Sequence, residues 1–266
     1  MHLPEATWTD VRDADADVAV LPIGSTEQHG PHAPLATDAR NAGTVAEAGA
    51  EAAGETVLVG PAIPVGVSEE HRAFDGTLWV SPDTFRAYVR ETAASLAATT
   101  GVERLVLVNG HGGNVDALAE VAARLSRDGT AHAVAFTWFE AVGEHADDMG
   151  HAGPLETALL RHANPGLVRE DRIDDARAGA ADRWGEWIAG VNLAHDSDEF
   201  AANGVVGDPG DGDADRGAAL LEEAADGLAR LARAVVDREW AGAGAGGRPP
   251  GGSGGTGGSG GNGEPD

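Results

Sequence analysis

The chain has 266 residues and a formal net charge of −26, and all 18 of its basic residues are arginines. This length accommodates one α/β domain with a sizeable core, and the negative charge excludes nucleic-acid binding and disfavours anionic membranes, because both need a basic surface. The absence of cysteine excludes disulfide bonds and thiolate ligands, so any metal ion must bind nitrogen and oxygen atoms.

Short β-rich runs alternate with longer amphipathic stretches, and this pattern predicts βα units and a mostly parallel sheet. The expected strands are Val18–Ile23, Thr56–Val65 with two internal prolines, Arg104–Val108 and His132–Phe139. The expected helices are Ala39–Ala53, Pro82–Thr99, Val115–Arg127 and Arg216–Trp240. Residues 241–266 are rich in glycine and have almost no large apolar side chain, so we expect a domain over 1–240 followed by a disordered tail.

A first group of polar residues follows the first strand, in the segment GSTEQHGPHAPLATDA from Gly24 to Ala39. Glu27 and His29 are two residues apart, so in an extended segment both side chains point to the same side. The carboxyl edge of an open parallel sheet is where such folds bind ligands. Glycine and proline residues in the segment allow Asp38 to return to the same place. A solvated loop is the alternative interpretation of Glu27 and His29.

A second group follows the third strand, in the segment NGHGGN from Asn109 to Asn114. Its glycines let the backbone approach a ligand, and His111 leaves the strand end beside them. A turn residue is the alternative interpretation of His111 alone. Two imidazoles and two carboxylates at neighbouring strand ends suit a divalent ion such as Zn, Mn or Fe.

These segments resemble the motifs of the creatininase family, a family of metal-dependent amide hydrolases. Similar motifs occur in order along the rest of the chain: GVSEEHRAFDGT at Gly66–Thr77, HAGPLET at His151–Thr157 and GVVGDP at Gly204–Pro209. The resemblance covers nearly everything before the tail. It implies a three-layer α/β/α sandwich and assembly into a homo-oligomer, with a hexamer as one form.

The resemblance also implies two divalent metal ions for each subunit, held by five side chains: Glu27, His29, Asp38, His111 and Glu156. Glu27 and His111 are expected at one ion and His29 at the other. Asp38 is expected to bridge the two ions, and Glu156 is a further ligand. His151 resembles the histidine that assists proton transfer, so it is the predicted catalytic residue.

Two further residues are predicted to bind the substrate. His71 lies in the substrate-side segment, with an ordinary loop residue as the alternative, and Asn114 ends the second motif. The chain also departs from the family pattern. Creatininase proper has a carboxylate in the NGH motif, where this chain has Gly112 and Gly113. Asp75 and Ala33 replace a usual proline and leucine, and these differences affect the substrate rather than the metal site.

The predicted function is hydrolysis of a small, non-peptide amide C–N bond. The first choice is the formamide deformylase reaction on a ribosylaminopyrimidine phosphate in riboflavin and deazaflavin biosynthesis. Hydrolysis of the mycofactocin precursor peptide and hydrolysis of creatinine are the alternatives. A metal-binding protein without turnover is the alternative from another class, and a proton-transfer residue such as His151 argues against it.

The charge also bears on the environment of the protein. The many carboxylates of such an acidic surface repel one another at low ionic strength, and salt screens this repulsion. We interpret the composition as adaptation to a salty, archaeal cytoplasm, with an ordinary acidic protein as the alternative. Met1–Asp10 lack a signal-peptide pattern, and no apolar run approaches the roughly 20 residues that a membrane span requires.

Overall fold

The structure is a computed structural model and describes residues 1–54, 56–240 and 242. Its centre is a parallel sheet of four strands: β1 (Val18–Ile23), β2 (Val57–Val59), β3 (Arg104–Asn109) and β4 (His132–Thr137). Their order across the sheet is β2-β1-β3-β4. Nearly all of the predicted tail lies outside the described residues, so the tail and the domain boundary at residue 240 stay predictions.

The described part of the chain also contains seven α-helices. They are α1 (Trp8–Asp13), α2 (Thr37–Ala53), α3 (Pro82–Thr100), α4 (Val115–Arg127), α5 (Pro154–Ala163), α6 (Ile173–Ala178) and α7 (Ala214–Asp237). A small antiparallel hairpin, β5 (Trp187–Ile188) and β6 (Val191–Asn192), lies outside the sheet. None of the described helices is long and apolar enough to cross a membrane.

The side chains of the central strands alternate between two cores, as the pleat of a strand requires. Val20 and Val106 pack with residues of α2, α5 and α7. Leu21 and Leu107 point the other way and pack with residues of α3 and α4. The sheet is therefore buried between two helical layers, and the predicted three-layer α/β/α sandwich is confirmed.

The second predicted strand is shorter than expected. Only Val57–Val59 pairs in the sheet, and Ile63 forms a single bridge to Ile23. Pro61 cannot donate a backbone hydrogen bond and lies between Val59 and Ile63, and Pro64 follows Ile63 directly, so pairing is interrupted at the first and does not continue past the second. The last helix likewise ends at Asp237, rather than at the predicted Trp240.

Close packing at the carboxyl ends of two strands positions the functional residues. Ile23 and Asn109 are neighbours in the register of β1 and β3, so the loops that follow them start side by side. The first turn of α2 packs directly over this edge. A Cβ atom on Gly110 would lie 2.4 Å from the carbonyl oxygen of Asp38, so only glycine allows α2 to approach the end of β3.

Candidate metal centre

The five predicted metal ligands converge at the carboxyl edge of the sheet. The loop after β1 supplies Glu27 and His29, and the first turns of α2 and α5 supply Asp38 and Glu156. His111 follows β3. All five side chains are buried. Residues far apart in sequence therefore form one polar cluster inside an otherwise apolar fold.

Asp38 lies between two histidines in this cluster. Its Oδ1 atom is 2.9 Å from His29 Nε2, and its Oδ2 atom is 3.3 Å from His111 Nδ1. His111 Nδ1 is also 3.1 Å from Glu27 Oε1, and His29 Nε2 is 3.7 Å from Glu156 Oε1. The cluster thus has two halves, and the Asp38 carboxylate contributes one oxygen to each.

Buried oxygens without hydrogen bonds show that the cluster fits a cation. Both carboxylate oxygens of Glu27 and both of Asp38 are buried and lack a hydrogen-bond partner in the described part of the chain, as does His29 Nε2. Such atoms are costly to bury unless something satisfies them. Glu27, Asp38 and His111 bring ligand atoms close enough to share one ion.

The outer nitrogens of three histidines define which inner nitrogen carries a lone pair. His29 Nδ1 donates to the Glu27 carbonyl oxygen at 3.2 Å, His111 Nε2 to that of Val67 at 2.7 Å, and His151 Nε2 to that of Gln28 at 2.6 Å. A carbonyl oxygen only accepts, so each outer nitrogen bears the proton. Metal-binding histidines commonly donate their second N–H in this way.

The charges in the cluster also favour a cation. Burial raises the pKa of Glu27 to about 7, against the opposing effect of His111. Burial alone would raise the pKa of Asp38, but His29 and His111 hold it below its ordinary value. Burial opposes protonation of both histidines, yet the adjacent carboxylates raise the pKa of His29 and of His111 well above the usual range. Positive charge is therefore stabilised between these side chains, where a divalent ion would lie.

His151 and His71 form a stacked pair beside the cluster. Their ring centroids are 4.2 Å apart, and His151 is also 4.4 Å from the His29 ring. His151 Nδ1 lies 3.7 Å from Glu27 Oε1, and His71 Nε2 lies 3.4 Å from the same atom. His151 with His29 and Glu156 could also hold an ion, so its position is compatible with a ligand as well as with the predicted proton carrier.

A cavity of about 720 Å³ opens beside the cluster and gives access to it. Its inner wall includes His71, His111, His151 and Glu156, and its outer wall includes Trp184 and Trp187 of the hairpin segment. Asn114 does not line the cavity. Its side-chain amide accepts from Val67 N and donates to the Gly24 carbonyl oxygen, and this placement argues against the predicted contact with substrate.

Sequence reasoning missed three parts of this site, Gln28, Glu70 and the hairpin, although Trp184 and Trp187 lie in an irregular segment where they were candidates to cap a pocket. Gln28, between Glu27 and His29, contacts both stacked histidines. Glu70 lines the cavity beside His111, with its Oε1 3.5 Å from His111 Nε2. The third part is the hairpin segment, whose Trp184 and Trp187 form the outer wall of the cavity. Gln28 could have been suspected from its place inside the first motif, but the hairpin gives no periodic signal because each of its strands has two residues.

Comparison with known proteins gives an independent view of the same segments. The family described as "Creatininase: Creatinine amidohydrolase" matches residues 4–232. The mycofactocin precursor peptide peptidase of Mycobacterium ulcerans is 35% identical over 236 residues, which cover 86% of each chain. A formylaminopyrimidine phosphate deformylase of Methanobrevibacter smithii is 34% identical over 110 residues, which cover 39% of this chain and 44% of the deformylase.

Solved structures have the same architecture. The structure of a manganese creatininase superposes with a TM-score of 0.73 at 25% sequence identity. The superposition covers 89% of this chain and 99% of that one. The similarity therefore extends over both helical layers and the loops between them.

Proposed function

The chain belongs to the creatininase family. Because the relatives named above hydrolyse amide bonds, we propose that it is a metal-dependent hydrolase acting on a peptide-type C–N bond. The observation that carries this proposal is the buried cluster, in which carboxylate oxygens without hydrogen bonds to the described residues lie beside the inner ring nitrogens of His29 and His111. This arrangement lies at the inner end of an accessible cavity. A protein that only stored metal would not need the cavity.

The residues would hold two divalent ions, with Mn, Zn or Fe suited to this donor set. Glu27 and His111 would hold one ion, and His29 and Glu156 would hold the other. Asp38 would serve both, because its two oxygens lie close to His29 and His111 respectively. Divalent ions bound there would polarise a carbonyl group and lower the pKa of water.

His151 is suited to moving the proton. Its Nδ1 atom carries a lone pair that faces the cluster, and its Nε2–H stays bonded to the Gln28 carbonyl oxygen. A proton taken up at Nδ1 from the attacking water would leave both ring nitrogens as donors, and the Gln28 carbonyl would stabilise the resulting charge. His151 can then pass that proton to the leaving nitrogen, a role that typically contributes about 10²–10⁴-fold to the rate.

The electrostatics of the cavity argue against a phosphorylated substrate. Glu70, Asp116 and Glu156 line it, and no arginine is among the residues that line it in the described part of the chain. Phosphate groups are commonly bound by arginine or lysine, and the chain has no lysine. The start of α4 also borders the cavity, but its first turn carries the acidic Asp116. The cavity therefore favours an uncharged or cationic substrate over the ribosylaminopyrimidine phosphate that the sequence suggested first.

The outer wall of the cavity suits a peptide. Phe139, Met149, Trp184 and Trp187 provide apolar and aromatic surface next to the polar cluster. Such surfaces bind extended substrates with apolar side chains by burying area. The 35% identity to a peptidase over most of both chains supports the same substrate class. The deformylase reaction is the second candidate, because the archaeal deformylase shares 34% identity over a shorter segment.

A turnover assay separates these candidates. The purified protein, loaded with Mn or Zn in high salt, is given a mycofactocin precursor peptide, the formylaminopyrimidine phosphate and creatinine in parallel. We expect cleavage of the peptide and little or none of the other two. Cleavage of the formylaminopyrimidine alone would show that the deformylase reaction, not peptide hydrolysis, is the function. Stoichiometric metal binding with no turnover of any amide would contradict the enzymatic proposal.

A further inference from the structure

Gln28 holds both stacked histidines, and it uses a different chemical group for each. Its side-chain Nε2 lies 2.8 Å from His71 Nδ1. Its backbone carbonyl oxygen accepts from His151 Nε2 at 2.6 Å. All three residues are buried, so water cannot easily replace either hydrogen bond. The proton positions on the two imidazoles therefore depend on one residue.

The orientation of the Gln28 amide is fixed by two backbone groups. Its Oε1 accepts from Gly30 N at 2.9 Å, and its Nε2 donates to the Gly204 carbonyl oxygen at 3.1 Å. A flipped amide would place N–H against N–H and oxygen against oxygen. Gly204 has a φ of +76°, and a Cβ atom there would lie 2.2 Å from Gln28 Nε2, so glycine is required for this contact.

These contacts determine the tautomer of His71. Because Gln28 Nε2 can only donate, His71 Nδ1 must accept, and the ring proton of the neutral imidazole lies on Nε2. The Ser197 hydroxyl is 2.9 Å from the same Nδ1, but it can rotate toward the Glu70 carbonyl oxygen and so does not fix the tautomer. The Nε2–H of His71 points inward, 3.4 Å from Glu27 Oε1, which has no hydrogen-bond partner among the described residues.

His151 has the opposite arrangement. Its proton is also on Nε2, but this atom points outward to the Gln28 carbonyl oxygen, and the inward Nδ1 has the lone pair. The other two histidines of the cluster, His29 and His111, also donate outward to carbonyl oxygens. Of the two stacked histidines, His71 alone presents its ring N–H to the interior of the site.

We propose that Gln28 is a positioning residue that gives the stacked histidines opposite roles, with His71 as a hydrogen-bond donor toward the cavity and His151 as an acceptor. With its ring proton on Nε2, His71 acts as a hydrogen-bond donor to a substrate oxygen that gains negative charge. It does not transfer the proton, and that step stays with His151.

The role of His71 toward a substrate rests on the proposed hydrolysis, whereas the tautomers do not. A neutral imidazole N–H can stabilise a developing oxyanion in a buried site, where fixed donors act more strongly than in water. Removing one such donor typically lowers kcat by about 10²–10³-fold. The proposal therefore predicts a spectroscopic effect in the metal-free protein and a kinetic effect in the loaded enzyme.

The test compares the wild-type protein with Gln28→Glu and Ser197→Ala. Nitrogen-15 NMR of the metal-free, histidine-labelled proteins reports which ring nitrogens carry protons. We expect the proton on Nε2 for both His71 and His151 in the wild type. In Gln28→Glu, the carboxylate can only accept, so His71 should gain a proton on Nδ1 while His151 is unchanged. Ser197→Ala removes the other partner of His71 Nδ1 and should leave both tautomers as in the wild type.

Kinetics complete the test. In the loaded enzyme, Gln28→Glu should lower kcat by about 10²-fold with a smaller change in KM, and Ser197→Ala should change kcat little. A wild-type His71 protonated on Nδ1, or an unchanged His71 in Gln28→Glu, would overturn the proposal. The wild-type spectrum decides this even if Gln28→Glu does not fold. Predicted tautomers without turnover of any amide would instead refute the proposed function and leave the positioning role intact.

Discussion

Two regions of the site are built in different ways. The floor consists of the buried side chains around the cluster: Glu27, His29, Asp38, His111, His151 and Glu156. The rim is the segment 184–193 with its hairpin, where Trp187 is 48% and Ile188 60% exposed. The three floor histidines His29, His111 and His151 donate hydrogen bonds to backbone carbonyl oxygens. The rim is instead formed by two short strands that pair with each other at the surface.

We infer from this difference that the floor determines the chemistry and the rim determines which substrate binds. Buried, hydrogen-bonded groups have one arrangement, and that fixes where ions and protons can lie. A surface hairpin with few partners can change its side chains at little cost in stability, so it can adapt to different substrates. We therefore expect substitutions in the floor to affect metal binding and kcat, and substitutions in the rim to affect KM.

The largest effect is expected for Asp38→Ala. Asp38 contributes an oxygen to each half of the cluster, so its removal should abolish both metal binding and turnover. Metal content for each subunit and hydrolysis rate are measured together. Asp116→Ala is the matched control, because this exposed carboxylate lines the cavity outside the cluster. A full metal complement in the Asp38→Ala protein would show that the Asp38 carboxylate is not a metal ligand.

His151→Ala should lose activity and keep its metal. Its inward lone pair serves proton transfer, so we expect a fall in kcat of about 10²–10⁴-fold. The five remaining carboxylate and imidazole ligands should retain the ions. His151 also lies close enough to His29 and Glu156 to share an ion with them. A metal-free His151→Ala protein would therefore make it a ligand and leave the mechanism without its proton carrier.

A smaller effect is expected at the rim. Trp187 lines the cavity, so Trp187→Ala should raise KM for the peptide by about tenfold, the scale of one lost aromatic contact, with little change in kcat. Ile188 is on the same strand but does not line the cavity, so Ile188→Ala is the control. A drop in kcat without a change in KM for Trp187→Ala would show that the rim takes part in the chemistry.

The smallest effect on the site itself is expected from salt. The chain has 44 acidic and 18 basic residues, so low ionic strength should lower its melting temperature or loosen the predicted homo-oligomer. The buried floor should be less sensitive, because charges inside a protein are screened less than exposed ones. Melting curves and metal content are compared in dilute buffer and in molar salt. Unchanged melting would refute the prediction of salt adaptation.

Much of the floor could be predicted from the sequence because several of its residues directly follow the ends of predicted strands. β1 was predicted with its observed bounds, and glycine-rich motifs after β1 and β3 indicated where Glu27, His29, Asp38 and His111 would meet. The helix α5 was not predicted. It has only 10 residues, fewer than about three turns, so its periodic pattern is short, although Pro154 at its start was a usable signal.

The rim and the hydrogen-bond roles could not be predicted for physical reasons. Two-residue strands are too short to show alternation, so the hairpin leaves no pattern. The tautomers of His71 and His151 depend on Gln28 and Gly204, which are distant in sequence and meet only in the fold. The choice between a phosphorylated formamide and a peptide could not be made from the sequence, because the lining of the cavity comes from separate loops.

The most direct test of the central claim is a crystal structure of the Mn-loaded protein with anomalous scattering measured at the manganese edge. The account predicts two anomalous peaks for each subunit within the floor. One should lie against Glu27 and His111, the other against His29 and Glu156, and both against Asp38. Peaks only at surface carboxylates, or an ordered cluster that binds no ion in saturating Mn, would contradict it.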